Sequence, residues 1–174
     1  MQATAIHSHT TRLPFVAAGA VTGIGSLPHT SSRSAIRAVA EPSPEIPFWP
    51  QLPQRSERES IVAQSLGMVE NLIERRNEGY GYQVKERHLD SVLEILHRSS
   101  GELSLENAAG FGAFQEALSS GRFSSALAVK GQIEGPITLA AVCFTRAGHS
   151  WPIQPFLRPL LFISRRSSAG RLTA

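Results

Sequence analysis

The chain of 174 residues is long enough for one domain with a substantial core. It falls short of the ~250 residues of a closed (β/α)₈ barrel. No run approaches the roughly 18 apolar residues of a membrane span, and residues 1–11 lack the basic-then-apolar order of a secretory signal. A single cysteine, Cys143, excludes an internal disulfide framework and suits a reducing, cytoplasmic setting.

Charge is divided unevenly. All 14 acidic residues lie between Glu41 and Glu134, so residues 1–140, with 12 basic groups, carry −2. The last 34 residues hold five arginines and no acid, and this tail alone produces the basic balance. A basic tail suggests nucleic acid or an anionic membrane. Without lysine, and without an aromatic pattern for base stacking, it reads instead as a solvated tail.

Residues 1–14 read as a flexible N-terminus. Phe15 to Ile24 is small and apolar and predicts a buried strand ending at Gly25-Ser26-Leu27-Pro28. Thr30, Ser31 or Ser32 caps a helix through Ala40, with Ala35, Ile36, Val39 and Ala40 as its apolar side, and Pro42 and Pro44 end it. Glu45 to Pro53 is punctuated by proline, which permits only a short strand, Ile46 to Trp49, running into a loop. Ser56 and Glu59 have capping-box spacing, predicting a helix from Glu57 to Leu66. Met68 to Val84 is ambiguous between a continued helix and a β excursion at Tyr80–Val84. Leu89, Val92, Leu93 and Leu96 have helical spacing within Val84 to Arg98, and Leu105 to Leu118 gives another helix. Ser125 to Ile133 predicts a second buried strand, after which Gly135-Pro136 turns and Thr138 caps a helix. Helix and strand alternate, and the strands end in glycine. That order predicts an α/β fold with a parallel sheet.

Two strand ends carry a recognisable pattern: Thr22-Gly23-Ile24-Gly25-Ser26-Leu27-Pro28-His29-Thr30, and Val129-Lys130-Gly131-Gln132-Ile133-Glu134-Gly135-Pro136-Ile137-Thr138-Leu139. Together they resemble the catalytic barrel of cobalamin-independent methionine synthase, where I-G-S and K-G-x-x-x-G-P segments end two β-strands. The run Pro44 to Pro53, with Ala108-Ala109-Gly110-Phe111, is similar to a shorter, single-barrel group of the methionine synthase/uroporphyrinogen decarboxylase superfamily. The resemblance covers Ala18 to Ala141. It implies a partial (β/α)₈ TIM barrel of three to four βα units over residues 15–141, followed by an irregular basic tail over 142–174.

By resemblance, Ile24, Gly25 and Ser26 hold the amino-acid end of a thiol substrate such as homocysteine. Gly25 serves a tight turn equally well. His29 stands where glutamine is common, either as a carboxylate partner or proton shuttle or as a solvent-facing residue at a helix start. Lys130, near the end of an apolar strand, needs a partner or faces ligand, and Glu134 is that partner or itself faces substrate. Glu70 echoes a glutamate that contacts the substrate amino group, against the alternative of an exposed helix glutamate. Arg55 is placed like a carboxylate clamp of uroporphyrinogen decarboxylase, or like a surface arginine before a capping box.

The family reaction is zinc-dependent methyl transfer to a thiol. Its zinc ligands, an H-x-C pair, a glutamate and a distant cysteine, lie beyond the K-G-x-x-x-G-P strand. Cys143 has no second thiol near it, so no intact metal site is expected. The tail reads as an out-of-frame or truncated end, and the product as an inactive methyltransferase fragment prone to self-association through exposed barrel edges. Two other functions remain open: a uroporphyrinogen decarboxylase-like or corrinoid-linked relative, and a non-catalytic interaction protein.

Overall fold

The structure, a computed structural model, describes residues 15–16, 18–85, 88–98 and 103–151. The expected flexible terminus, 1–14, and residues 152–174 of the basic tail lie outside them.

Helix α1 spans Ser32–Ala40. Ser31 caps it, its hydroxyl accepting from the Ser34 N–H at 3.5 Å, and so satisfies a helix-start donor as expected. Ala35, Ile36 and Val39 form its buried stripe. The chain then enters an extended segment, 45–52, in which every residue from Pro47 to Leu52 is buried. Pro47 and Pro50 have no N–H, so a regular central ladder cannot form. Pairing reduces to two parallel bridges, Phe48 with Lys130 and Ser26 with Gln51. Trp49 N–H donates to the Lys130 carbonyl at 3.0 Å, Lys130 N–H to that of Pro47 at 2.9 Å, and Leu27 N–H to that of Gln51 at 2.9 Å. Residues 23–27, 45–52 and 127–132 therefore run side by side in parallel, with 45–52 in the middle.

The two flanks differ from expectation. Val21 and Ile24 on one side, and Leu127, Val129 and Ile133 on the other, are exposed rather than buried. Each belongs to an edge of this small parallel array, and among the described residues no further segment pairs with either edge.

The Ser56–Glu59 capping box is also revised. Ser56 does cap, but only a 3₁₀ turn, Glu57–Glu59, while Glu59 turns its carboxylate inward. Ser60 then caps a separate helix α2, Ile61–Ser65, so the single helix expected from Glu57 is two pieces. A 3₁₀ stretch Gly67–Leu72 leads into strands β1 (Ile73–Arg75) and β2 (Tyr82–Val84), paired antiparallel with Ile73 opposite Val84. The ambiguous stretch is thus mostly a hairpin. Helix α3, Leu89–Arg98, buries Val92 and Leu96 one turn apart. Helix α4, Ala109–Ser119, follows a 3₁₀ turn and packs on α1. Helix α5, Pro136–Val142, starts with Pro136 after the Gly135 N-cap, so Thr138 lies inside the helix instead of capping it. Strand β3, Cys143–Phe144, adds to β2 in parallel.

The fold is mixed α/β with a small open sheet in the order β1-β2-β3, beside the three parallel segments. Two cores hold it together. One gathers Ile36, Val39, Phe48, Trp49, Phe114 and Phe123 under α1 and α4. The other gathers Val62, Leu66, Ile73, Val84, Val92 and Leu139 around the hairpin. Cys143 and Trp151 are buried in the second core, so the folded part extends past the limit expected at Ala141.

Candidate functional site at the parallel segment ends

The two resemblance motifs meet across the middle segment. Lys130 Nζ donates to the Gly23 carbonyl at 2.7 Å, linking positions 107 residues apart. Two residues on, Gln132 Nε2 donates to Gln51 Oε1 at 2.7 Å. In an extended chain, residues two apart share a face. Lys130 and Gln132 therefore reach over the middle segment toward Gly23 and Gly25, also two apart. A Cβ on Gly25 would collide with the Gln132 amide and the Trp49 carbonyl, and one on Gly23 with the Phe48 ring. Both glycines are required by packing.

This separates the three residues expected to hold substrate. Gly25 is packed shut, whereas Ile24 (75% exposed) and Ser26 face solvent. His29 is half-buried in the turn before the α1 cap. Lys130 has its partner in a backbone carbonyl rather than in Glu134, whose Oε1 accepts from the Gly135 N–H at 3.0 Å.

Glu70 is connected to these ends through side-chain amides and one backbone carbonyl. Gln132 donates to Gln51, and Gln51 Nε2 donates to Gln64 Oε1 at 2.7 Å. Gln64 Nε2 donates to the Asn107 backbone carbonyl at 3.1 Å, and Asn107 Nδ2 to Glu70 Oε2 at 3.1 Å. Gln51, Gln64 and Asn107 are all buried, where an unpaired amide is costly and a paired one fixes geometry. Sequence reasoning did not single out this chain of amides. Only Gln51 and Gln132 lay within quoted motifs, and no spacing rule joins them to Gln64 and Asn107.

Arg55 proves to be a structural residue. Its guanidinium pairs with Glu59 at 2.6 Å. Glu59 is fully buried, and its carboxylate also accepts from the N–H groups of Ala109 and Gly110, each at 3.2 Å. Helix α4 has no side-chain cap of its own. A carboxylate from the distant turn supplies it, satisfying two helix-start donors with a charge of favourable sign. One guanidinium nitrogen of Arg55 is thus engaged by Glu59.

The Cys143 thiol is buried, which pushes its pKa up to about 12. No three His, Cys, Asp or Glu side chains converge among the described residues.

A separate shallow cleft of about 190 Å³ lies beside the hairpin, with Glu57, Arg58, Glu70, Glu74, Arg75 and Tyr82 on its walls. Two ion pairs cross it, Arg75 with Glu57 at 2.7 Å and Arg58 with Glu70 at 3.6 Å. The hydrogen bond to Glu57 raises the Arg75 pKa, and burial raises that of Tyr82.

No helix among the described residues is long and apolar enough to cross a membrane. Comparison with protein-family models, with curated proteins and with solved structures finds no significant match.

Proposed function

We propose that this chain is part of a (β/α)₈ barrel of the cobalamin-independent methionine synthase type. In this reading its strand-end turn at Ile24–Ser26 takes the amino-acid end of a small thiol substrate, and it is catalytically inactive alone. The family reaction is methyl transfer to a thiol. One observation carries the proposal: two motifs more than a hundred residues apart come together at the same end of three parallel segments, through Lys130 and Gly23. In parallel α/β architectures that end is where ligands bind. Ser26 offers an exposed hydroxyl there, and Glu134 a half-buried carboxylate one residue before the Gly135 N-cap of α5. The decarboxylase-like alternative loses support because Arg55 is held by Glu59.

Titration of L-homocysteine into the isotope-labelled chain tests this. Saturable shifts at Ser26 and Glu134, weakened in Ser26→Ala and Glu134→Gln, are expected. Absence of saturable binding, or binding indifferent to both substitutions, would count against the proposal.

A further inference from the structure

The amide chain behind the strand ends has a direction, and one backbone carbonyl fixes it. A carbonyl oxygen only accepts, so Gln64 turns Nε2 toward the Asn107 backbone oxygen, at 3.1 Å. Gln64 Oε1 then faces Gln51, which answers with Nε2 at 2.7 Å. Gln51 Oε1 in turn faces Gln132, which answers with Nε2, also at 2.7 Å. Reversing any one of these amides would set oxygen against oxygen or nitrogen against nitrogen. The side-chain oxygen of Gln132 is therefore the free end of the chain.

Gln51 and Gln64 are 0% and 6% exposed, so this order is held at the cost of taking two amides out of water. Gln132 is only half-buried, and no described residue donates to its Oε1. Its amide lies against the first segment, since a Cβ built on Gly25 would stand 3.0 Å from Gln132 Cδ. An open acceptor thus sits at the Gly25-Ser26 turn. Each amide that donates becomes a stronger acceptor at its own oxygen, so the successive donations along the chain strengthen Gln132 Oε1.

We infer that Gln132 determines specificity at the strand-end site, its Oε1 accepting a hydrogen bond from the amine of the ligand. The inference rests on the reading of that site as one that takes the amino-acid end of a thiol, and it says which half of that end is recognised there. An amino-acid end has one strong donor, its ammonium, whereas its carboxylate only accepts. Glu70 is not the group that meets it, because Glu70 stands at the opposite end of the amide chain, bonded to Asn107 Nδ2. Gln51 and Gln64 touch no ligand; they are positioning residues that hold the Gln132 amide in one orientation.

Three ligands titrated into the isotope-labelled full chain, with amide shifts at Gly25 and Ser26 as the readout, test this: L-homocysteine, γ-mercaptobutyrate, which lacks its amine, and homocysteamine, which lacks its carboxylate. γ-Mercaptobutyrate should bind about tenfold more weakly than homocysteine, the loss of one charge-assisted hydrogen bond. Gln132→Met keeps the side-chain length without the oxygen, so it should bring the two affinities together. A merely structural role would weaken both ligands alike and leave their ratio unchanged. Gln132→Glu puts a charged acceptor at the same place and should widen the ratio, which keeps the test open if Gln132→Met does not fold. Equal binding of homocysteine and γ-mercaptobutyrate to the unmodified chain, or a ratio unchanged in either folded variant, would overturn the inference and leave the strand-end reading standing. Binding of homocysteamine without binding of homocysteine would overturn that reading and support the inference. No saturable binding of any of the three would overturn both.

Discussion

Lys130 donates its ammonium to the backbone carbonyl of Gly23 at 2.7 Å and so ties the third parallel segment to the first across the second. The middle segment cannot do this alone, because two prolines remove its ladder donors. Lys130→Met keeps the aliphatic stem but orphans the carbonyl. A hydrogen bond involving a charged group contributes about 1.5–3 kcal/mol, and a loss in that range is expected in urea denaturation. Lys130→Arg, which retains donors, should recover part of it.

Gly25 should tolerate no side chain. A Cβ there meets both the Gln132 amide and the Trp49 carbonyl. The first neighbour can move and the second cannot. Gly25→Ala should therefore cost about 1–3 kcal/mol, as overpacked cores do. Combining it with Gln132→Ala should recover only a minor part. Full recovery in the double variant, read from denaturation midpoints, would show that the backbone contact is unimportant.

The buried carboxylate of Glu59 joins the Arg55 guanidinium to the start of α4. Glu59→Leu strands two helix-start donors and a guanidinium at once. Each backbone N–H left unpaired away from water costs about 1–3 kcal/mol. Arg55→Ala should cost less, because Arg55 is 43% exposed and the two backbone donors still hold the carboxylate. Thermal melts of the two variants should rank in that order, with α4 helicity lost first in Glu59→Leu.

The residues that act locally could be read from the sequence. Ser31 as a cap, the end of α1 at Ala40, and the apolar spacing of Val92 and Leu96 follow from interactions within a turn or two. Glu59 could not be read this way. A glutamate three residues after a serine has the same pattern whether it reaches back to its own turn or inward to another helix, and only tertiary packing decides. The apolar runs 15–24 and 125–133 look buried by composition, yet burial depends on a neighbouring segment, and the pairing partner of a strand is not encoded in the strand itself. The amide chain from Gln132 to Glu70 joins residues separated by as many as 81 positions, where spacing carries no signal.

The open flanks of the parallel array should govern solubility. Ile24 (75% exposed), Val129 (44%) and Ile137 (73%) are exposed on or near segments whose outer edges have no partner among the described residues. Unpaired strand edges with apolar side chains promote association, and lysine on such an edge opposes it. The chain should therefore associate with rising concentration in light scattering, and Val129→Lys with Ile137→Lys should reduce this without lowering the melting temperature. Scattering that stays independent of concentration in the unmodified chain would refute the idea.

Cys143 makes stability depend on alkaline pH. Burial raises its pKa from 9.0 to about 12, and burial also raises that of Tyr82. Between those two values the unfolded chain carries a thiolate while the folded chain keeps its proton. The folded state then binds more protons, so stability falls as pH rises. The contribution is fully present below pH 9 and is lost progressively toward 12. Tyr82 acts with the same sign, starting near 10. Urea midpoints should therefore be flat up to about pH 8.5 and decline above it, and Cys143→Ala, though less stable at neutral pH, should decline less steeply. The native thiol should also resist iodoacetamide at pH 8 and react at once in denaturant, since only the exposed thiolate is nucleophilic. Fast alkylation of the folded chain, or an equal alkaline slope in Cys143→Ala, would mean that the thiol is not buried as the structure places it.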